Sequence, residues 1–278
     1  MSKLNRSIAL LCATLVAAEA NAAWIETGEV VESRPGVKTM YVVSAEKSIT
    51  DRSAVKNMVL LLTGGEGFIP PAVNGTKEQK PDRVALRGFM AEKLGVLVAV
   101  GLPSDHPHGI SPQWRDTEEH AKDVSAVMDV LMMQYPAARI TVLGISNGCR
   151  SAAHIAAAAR KRWGTSLQGV AMLSCAGSSF REDRMAALDG PRSGANTLPK
   201  VPVLVVHHKR DACLRFENVE PLAKVYDFIA VEDTKQPRPN IMRPDCGNGS
   251  AHVFGGKEDK VYQAIVDWIN TGKIADVQ

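Results

Sequence analysis

The sequence predicts an α/β fold: a single domain built on a mostly parallel sheet of about eight strands with helices on both faces. Two observations predict it. Short runs rich in Val, Leu and Ile recur along the chain, apolar throughout rather than alternating, which is the pattern of strands covered on both sides. Between several of them lie stretches with helical spacing, as the crossovers of a parallel sheet require. The expected domain is 23–278, long enough for one large core, with no internal repeat or low-complexity linker to divide it.

Residues 1–22 read as a secretory leader. Lys3 and Arg6 precede an apolar stretch, Ile8 to Ala18, that is too short to span a bilayer, and Ala20-Asn21-Ala22 offers a small-residue cleavage site. Export to the periplasm or the medium, with cleavage after Ala22, is the expectation. Trp24 to Glu32 and Val37 to Ser44, joined by Arg34-Pro35-Gly36, read as an antiparallel hairpin at the sheet edge. Strands follow at Met58 to Leu62 and Val96 to Val100. Asp116-x-x-Glu119 predicts a capping box with Asp116 as the cap, opening a helix with Ala121, Val124, Val127, Met128 and Leu131 on one face and a stop near Pro136. The strand Ile140 to Leu143 runs into an Ala-rich helix, and Val170 to Leu173 and Val203 to Val206 are further strands. The Gly- and Pro-punctuated connection from Ala176 to Lys200 has room for a small flap but not a large lid. The last helix, about Lys257 to Asn270, turns Val261, Ile265 and Trp268 inward at i, i+4 and i+7.

The formal net charge of +3 is close to balance, so nothing points to nucleic acid or an anionic membrane surface as a partner. No run after the leader approaches the roughly 18 apolar residues of a spanning helix, and stable membrane insertion is not expected. Cys12 leaves with the leader. Cys149, Cys175, Cys213 and Cys246 remain, an even number suited to an oxidising compartment, and four cysteines allow three pairings.

The chemistry begins where the Ile140 strand ends, in Gly144-x-Ser146-x-Gly148. A strand-to-helix turn this tight holds its apex residue in a strained conformation and needs side chains nearly absent two positions either side. A serine hydroxyl is a poor nucleophile near neutral pH and needs a base, which in turn needs a carboxylate to orient it. For a nucleophile in such an elbow the partners follow in the order acid, then histidine. Asp211, just beyond the Val203 strand and His207-His208-Lys209-Arg210, is the acid candidate. Of seven histidines only His252 lies after it, in a Gly-rich loop before the last helix, and it is the base candidate. The oxyanion needs backbone donors. Asn147, directly after the nucleophile, supplies one, and the Thr63-Gly64-Gly65-Glu66-Gly67 turn supplies the other, with Gly65 favoured ahead of Glu66. Asp105-His106-Pro107-His108 lacks the spacing of a zinc site and reads as a substrate-facing loop, with no metal expected; Trp114 is a further candidate for the pocket wall.

Together, Thr63-Gly64-Gly65, Gly-Ile-Ser-Asn-Gly, His-His-x-x-Asp-x-Cys and His-x-Phe-Gly-Gly make the chain resemble a secreted bacterial serine esterase of the α/β-hydrolase superfamily, of the dienelactone-hydrolase-like kind. The resemblance spans essentially all of 23–278. It implies a Ser146, Asp211, His252 triad acting on a small-molecule or polymeric ester, without a cofactor. Two positions depart from the pattern: Thr63 stands where many relatives have His, and Ser146 replaces the cysteine nucleophile of the dienelactone hydrolases proper. Among the three pairings, Cys213 with Cys246 would pin the acid and base loops together, leaving Cys149 for Cys175. The same triad also cleaves amides, so a peptidase or amidase is the alternative within enzymes; a non-catalytic binding protein on the same fold is the alternative outside them.

Overall fold

In the computed structural model the described residues are 23–70, 82–189, 200–232, 245–247, 249–274 and 277, with residues 82–84 described in backbone only. The expected leader, residues 1–22, lies outside them. Eight strands form one sheet in the order β1-β2-β4-β3-β5-β6-β7-β8. They are β1 Trp24–Arg34, β2 Val37–Glu46, β3 Asn57–Leu62, β4 Gly95–Pro103, β5 Arg139–Ile145, β6 Leu167–Leu173, β7 Val203–His208 and β8 Asp227–Val231. β1 pairs antiparallel with β2, and β2 with β4; the remaining pairings are parallel. The α-helices are α1 Asp82–Leu94, α2 Glu118–Gln134, α3 Gly148–Trp163, α4 Glu182–Asp189 and α5 Glu258–Thr271.

Successive side chains of a strand point to opposite faces, and here both faces are covered. Met58, Leu60 and Leu62 of β3, Val96 and Val98 of β4, and Val203 and Val205 of β7 belong to one core cluster with Val124, Val127 and Leu131 of α2 and Ala152, Ile155 and Ala156 of α3. Their neighbours Val59, Leu61, Leu97, Leu204 and Val206 belong to the other, with Leu86 and Met90 of α1 and Val261, Ile265 and Trp268 of α5. Continuous hydrophobicity thus feeds two cores, at about 1.5–3 kcal/mol for each fully buried Val, Leu or Ile.

The described helices correct one expectation. α2 is capped by Thr117, whose Oγ1 accepts from the His120 N–H at 3.2 Å. Asp116 instead lies in the 3-10 turn Trp114–Asp116, where its carboxylate meets two guanidinium groups, Arg150 at 2.5 Å and Arg184 at 2.6 Å. Charge-assisted pairs outcompete a single cap bond. The connection after β6, where a small flap is expected, carries α4, whose Met185 and Leu188 join the core cluster shared with α3; residues 190–199 of that connection lie outside the described residues. α1 and β8 have no counterpart in the sequence reading. Arg87 of α1 forms a buried two-pronged ion pair with Glu26 of β1, at 2.7 and 2.8 Å, and Ser44 of β2 donates to the same carboxylate at 2.6 Å. This pair ties α1 to the edge hairpin.

Candidate active site

The chain leaves β3 for β4 on one side and returns to β5 on the other, so the carboxyl ends of β3 and β5 form a topological switch point, where open α/β sheets bind ligands. Leu62 lies opposite Gly144 in that parallel pairing, which sets the turn after β3 beside the turn after β5. Ser146 stands at the apex of the second turn with φ +54, a conformation that costs a non-glycine residue and occurs where surrounding structure enforces it. The enforcement is visible. The Ser146 N–H donates to the Leu173 carbonyl at 2.9 Å, and the Ser146 carbonyl accepts from the Cys149 N–H at 3.0 Å as α3 begins. A Cβ on Gly144 would stand 2.6 Å from the Gly148 carbonyl oxygen and 2.7 Å from the Ala152 Cβ, while one on Gly148 would run into the Leu62 carbonyl. The two glycines let α3 start this close to the sheet.

Ser146 lines a cavity of about 280 Å³ together with Gly65, Asn147 and His252, against apolar walls that include Leu86, Leu173 and Phe254. The backbone N–H groups of Gly65 and Asn147 make no hydrogen bond among the described residues. Asn147 is the N-cap of α3, where unpaired N–H groups and the helix dipole favour negative charge. Glu66 does not line the cavity. Asp211 follows β7 and is 4% exposed. Its Oδ1 accepts from the N–H groups of Cys213 (2.9 Å) and Leu214 (3.0 Å), and its Oδ2 faces two imidazoles, His252 Nδ1 at 2.8 Å and His207 Nε2 at 3.3 Å. Burial by itself would raise the Asp211 pKa; the hydrogen bonds from His207 and His252 outweigh it and hold the carboxyl well below the usual carboxylate range. An ionised carboxylate only accepts, so His252 Nδ1 carries the proton in that bond. His252 sits in the 3-10 turn Ala251–Val253 and is 3% exposed. Ser146 and His252 share the cavity without a direct hydrogen bond, a contact that often tightens only with substrate.

No protein-family model matches the sequence, and no curated protein matches it. Solved structures do match. A serine hydrolase homologue from Coxiella burnetii is 13% identical with a TM-score of 0.56, over 86% of this chain and 95% of that one. Est1E from Butyrivibrio proteoclasticus, solved with ferulic acid bound, is 14% identical with a TM-score of 0.57, over 87% and 98%. An esterase from Pyrococcus furiosus is 12% identical with a TM-score of 0.56, over 90% and 92%. The fold is that of the α/β-hydrolases.

On this α/β-hydrolase fold Cys149, Cys175, Cys213 and Cys246 form two disulfides. Cys149 is bonded to Cys175, joining the first turn of α3 to the residues just after β6, with Cα atoms 5.7 Å apart; Cys213 is bonded to Cys246, with Cα atoms 5.1 Å apart. The second bridge lies in the cavity wall. Asp211, Cys213 and His252 gather within 4.8 Å, but the Cys213 sulfur belongs to the bridge. The loop at Asp105 turns elsewhere: Asp105 pairs with Arg34 at 3.0 Å, the His106 ring lies 3.9 Å from that of Trp114, and neither they nor Trp114 are among the described residues lining the cavity. His207 was not singled out from the sequence. It is fully buried at the end of β7, and its Nε2 also reaches the Leu214 carbonyl at 2.7 Å, so it braces the acid loop from beneath. Its position at the end of an apolar strand, four residues before Asp211, is a signal that could have found it.

Proposed function

We propose that the chain is a serine hydrolase that cleaves carboxylic esters through an acyl-enzyme intermediate. The reading rests on one observation: Ser146, at φ +54, lies on the cavity that also holds His252, whose Nδ1 is 2.8 Å from the Asp211 carboxylate. Ser146 Oγ attacks the ester carbonyl carbon while His252 Nε2 takes the hydroxyl proton. Asp211 fixes the imidazole tautomer and stabilises the imidazolium that forms. The oxyanion of the tetrahedral intermediate is met by the N–H groups of Gly65 and Asn147. Collapse breaks the bond to the alcohol, which leaves with the proton from His252. A water, deprotonated by the same nitrogen, then releases the acid and restores Ser146.

The leader-like residues 1–22 and the two disulfides support a mature protein, 23–278, acting in the periplasm or the medium. Small neutral esters suit a largely apolar cavity of about 280 Å³. Because Est1E has been solved with ferulic acid bound, hydroxycinnamoyl esters belong in the substrate panel. The test is turnover of p-nitrophenyl acetate and butyrate by wild type and Ser146→Ala. Turnover by wild type, lost in a folded Ser146→Ala variant, is expected; equal turnover by both overturns the assignment.

A further inference from the structure

Arg115 is among the largest fully buried side chains, 1% exposed, in the 3-10 turn ahead of α2. Among the described residues no carboxylate lies within salt-bridge distance of it. A buried guanidinium without an anion is costly, and its Nε is left without a partner as well. Burial lowers its pKa to about 10, which leaves it cationic at neutral pH. Stability alone does not account for such a group.

Its two terminal nitrogens hold the two halves of the site. Nη2 donates to the Gly65 carbonyl at 3.0 Å, and Nη1 donates to Ser151 Oγ at 2.9 Å, in the first turns of α3 behind Asn147. Asn147 Nδ2 donates to the same Gly65 carbonyl at 3.3 Å. Ser151 Oγ is in turn 2.9 Å from His120 Nε2. Burial, then the charges of Arg115 and His154, push the His120 pKa down to about 3, so His120 is neutral at pH 7 and accepts the Ser151 proton. The chain of donors therefore runs one way, from Arg115 to Ser151 to His120. Gly65 has φ +58 and Glu66 follows it in a turn closed by the Gly67 N–H on the Gly64 carbonyl at 3.1 Å; a glycine turn has many orientations open to it, and a clamped carbonyl selects one.

We propose that Arg115 is the positioning residue of the oxyanion site, a buried clamp that holds the Gly65 turn in register with the start of α3 so that both N–H donors converge on one point. This rests on the ester-hydrolase reading of the same cavity. A displacement of about 1 Å in such a site costs on the order of 10²-fold in rate. Because the clamp serves the transition state, its loss falls on kcat rather than KM.

The experiment compares mature wild type with Arg115→Met, Arg115→Lys and Ser151→Ala in p-nitrophenyl acetate hydrolysis, with circular dichroism and thermal melting as the check on folding. Lysine keeps the charge but cannot reach both partners with a planar fork. Arg115→Lys and Arg115→Met are expected to lose about 100-fold in kcat with KM within about threefold of wild type. The rate of phosphonylation by a fluorophosphonate, whose adduct places an oxygen on the same donors, should fall in parallel. Ser151→Ala, which keeps the Gly65 contact, is expected to lose less than either. A folded Arg115→Lys with wild-type kcat overturns the clamp, and so does a loss confined to KM. Should Arg115→Met not fold, Arg115→Lys and Ser151→Ala still decide it by the same split. Failure of the underlying reading looks different, because wild type itself would then turn over no ester.

Discussion

Replacing both Cys213 and Cys246 with serine should weaken the fold and the chemistry together. The bridge closes a loop with a sequence separation of 33. On the chain-entropy model a loop of that length stabilises the folded state by roughly 3–4 kcal/mol. At about 2–4 °C per kcal/mol for a domain of this size, the melting temperature should fall by about 6–16 °C. The activity follows from where the bridge sits. Asp211 hangs on backbone bonds to Cys213 and Leu214, and His252 on a short turn held by the Gly255 N–H on the Ser250 carbonyl at 2.9 Å; the sulfur link fixes one segment against the other. Without it, kcat for p-nitrophenyl acetate should drop by roughly tenfold to 100-fold. Cys149→Ser with Cys175→Ser is the control. Its separation of 26 gives nearly the same entropy, but the elbow stays tied by the Ser146 N–H on the Leu173 carbonyl, so a similar loss of melting temperature should come with a much smaller loss of kcat. Melting by calorimetry and initial rates on all three proteins settle it. If the Cys213 and Cys246 variant melts well below wild type yet keeps full kcat, the bridge does not position the acid and base segments.

Three further outcomes follow. Asp211→Asn removes the acceptor that sets the His252 tautomer, and kcat should fall by about 10⁴-fold with KM nearly unchanged, read from steady-state kinetics. His120 is held neutral in the folded state, with its pKa near 3 against about 6.5 unfolded. The stability it contributes is present above about pH 6.5 and lost as pH falls toward 3, by up to ~1.4 kcal/mol per pH unit. His120→Gln should flatten urea-unfolding stability against pH over that window, and an unchanged slope would assign the acid sensitivity elsewhere. Arg87→Met strands the buried Glu26 carboxylate and should cost about 3–5 kcal/mol in urea unfolding, while Glu26→Leu combined with Arg87→Met should recover most of it.

The sheet was legible because buried parallel strands leave an unbroken apolar run, and β3 to β7 were placed that way; the hairpin was read from its Arg34-Pro35-Gly36 turn and α5 from the spacing of Val261, Ile265 and Trp268. β8 was harder: Phe228 to Val231 is a run of four like those read for β6 and β7, but only the 3-10 turns Phe216–Asn218 and Glu220–Lys224, and no helix, separate it from β7. α1 contains Gly88 and both charged and apolar residues, so its face shows only once Glu26 and the sheet are beneath it. The cap of α2 was misplaced by one residue because Asp116 and Thr117 both suit the role, and only the guanidinium groups of Arg150 and Arg184, distant in sequence, decide between them. At the site, Ser146, Asp211, His252, Gly65 and Asn147 were chosen from order and turn chemistry, and the structure brings all five to one cavity or its immediate support. Arg115 was invisible: it stands between Trp114, read as a candidate for the pocket wall, and Asp116, read as a helix cap, and its burial follows from contacts 36 and 50 residues away along the chain.

The central claim is that Ser146 is an activated nucleophile in an assembled site. Intact mass of mature protein after treatment with a fluorophosphonate, beside Ser146→Ala, tests it most directly. A single phosphonyl adduct on wild type and none on the variant is the expected result. No adduct on folded wild type, or an equal adduct on the variant, would contradict it.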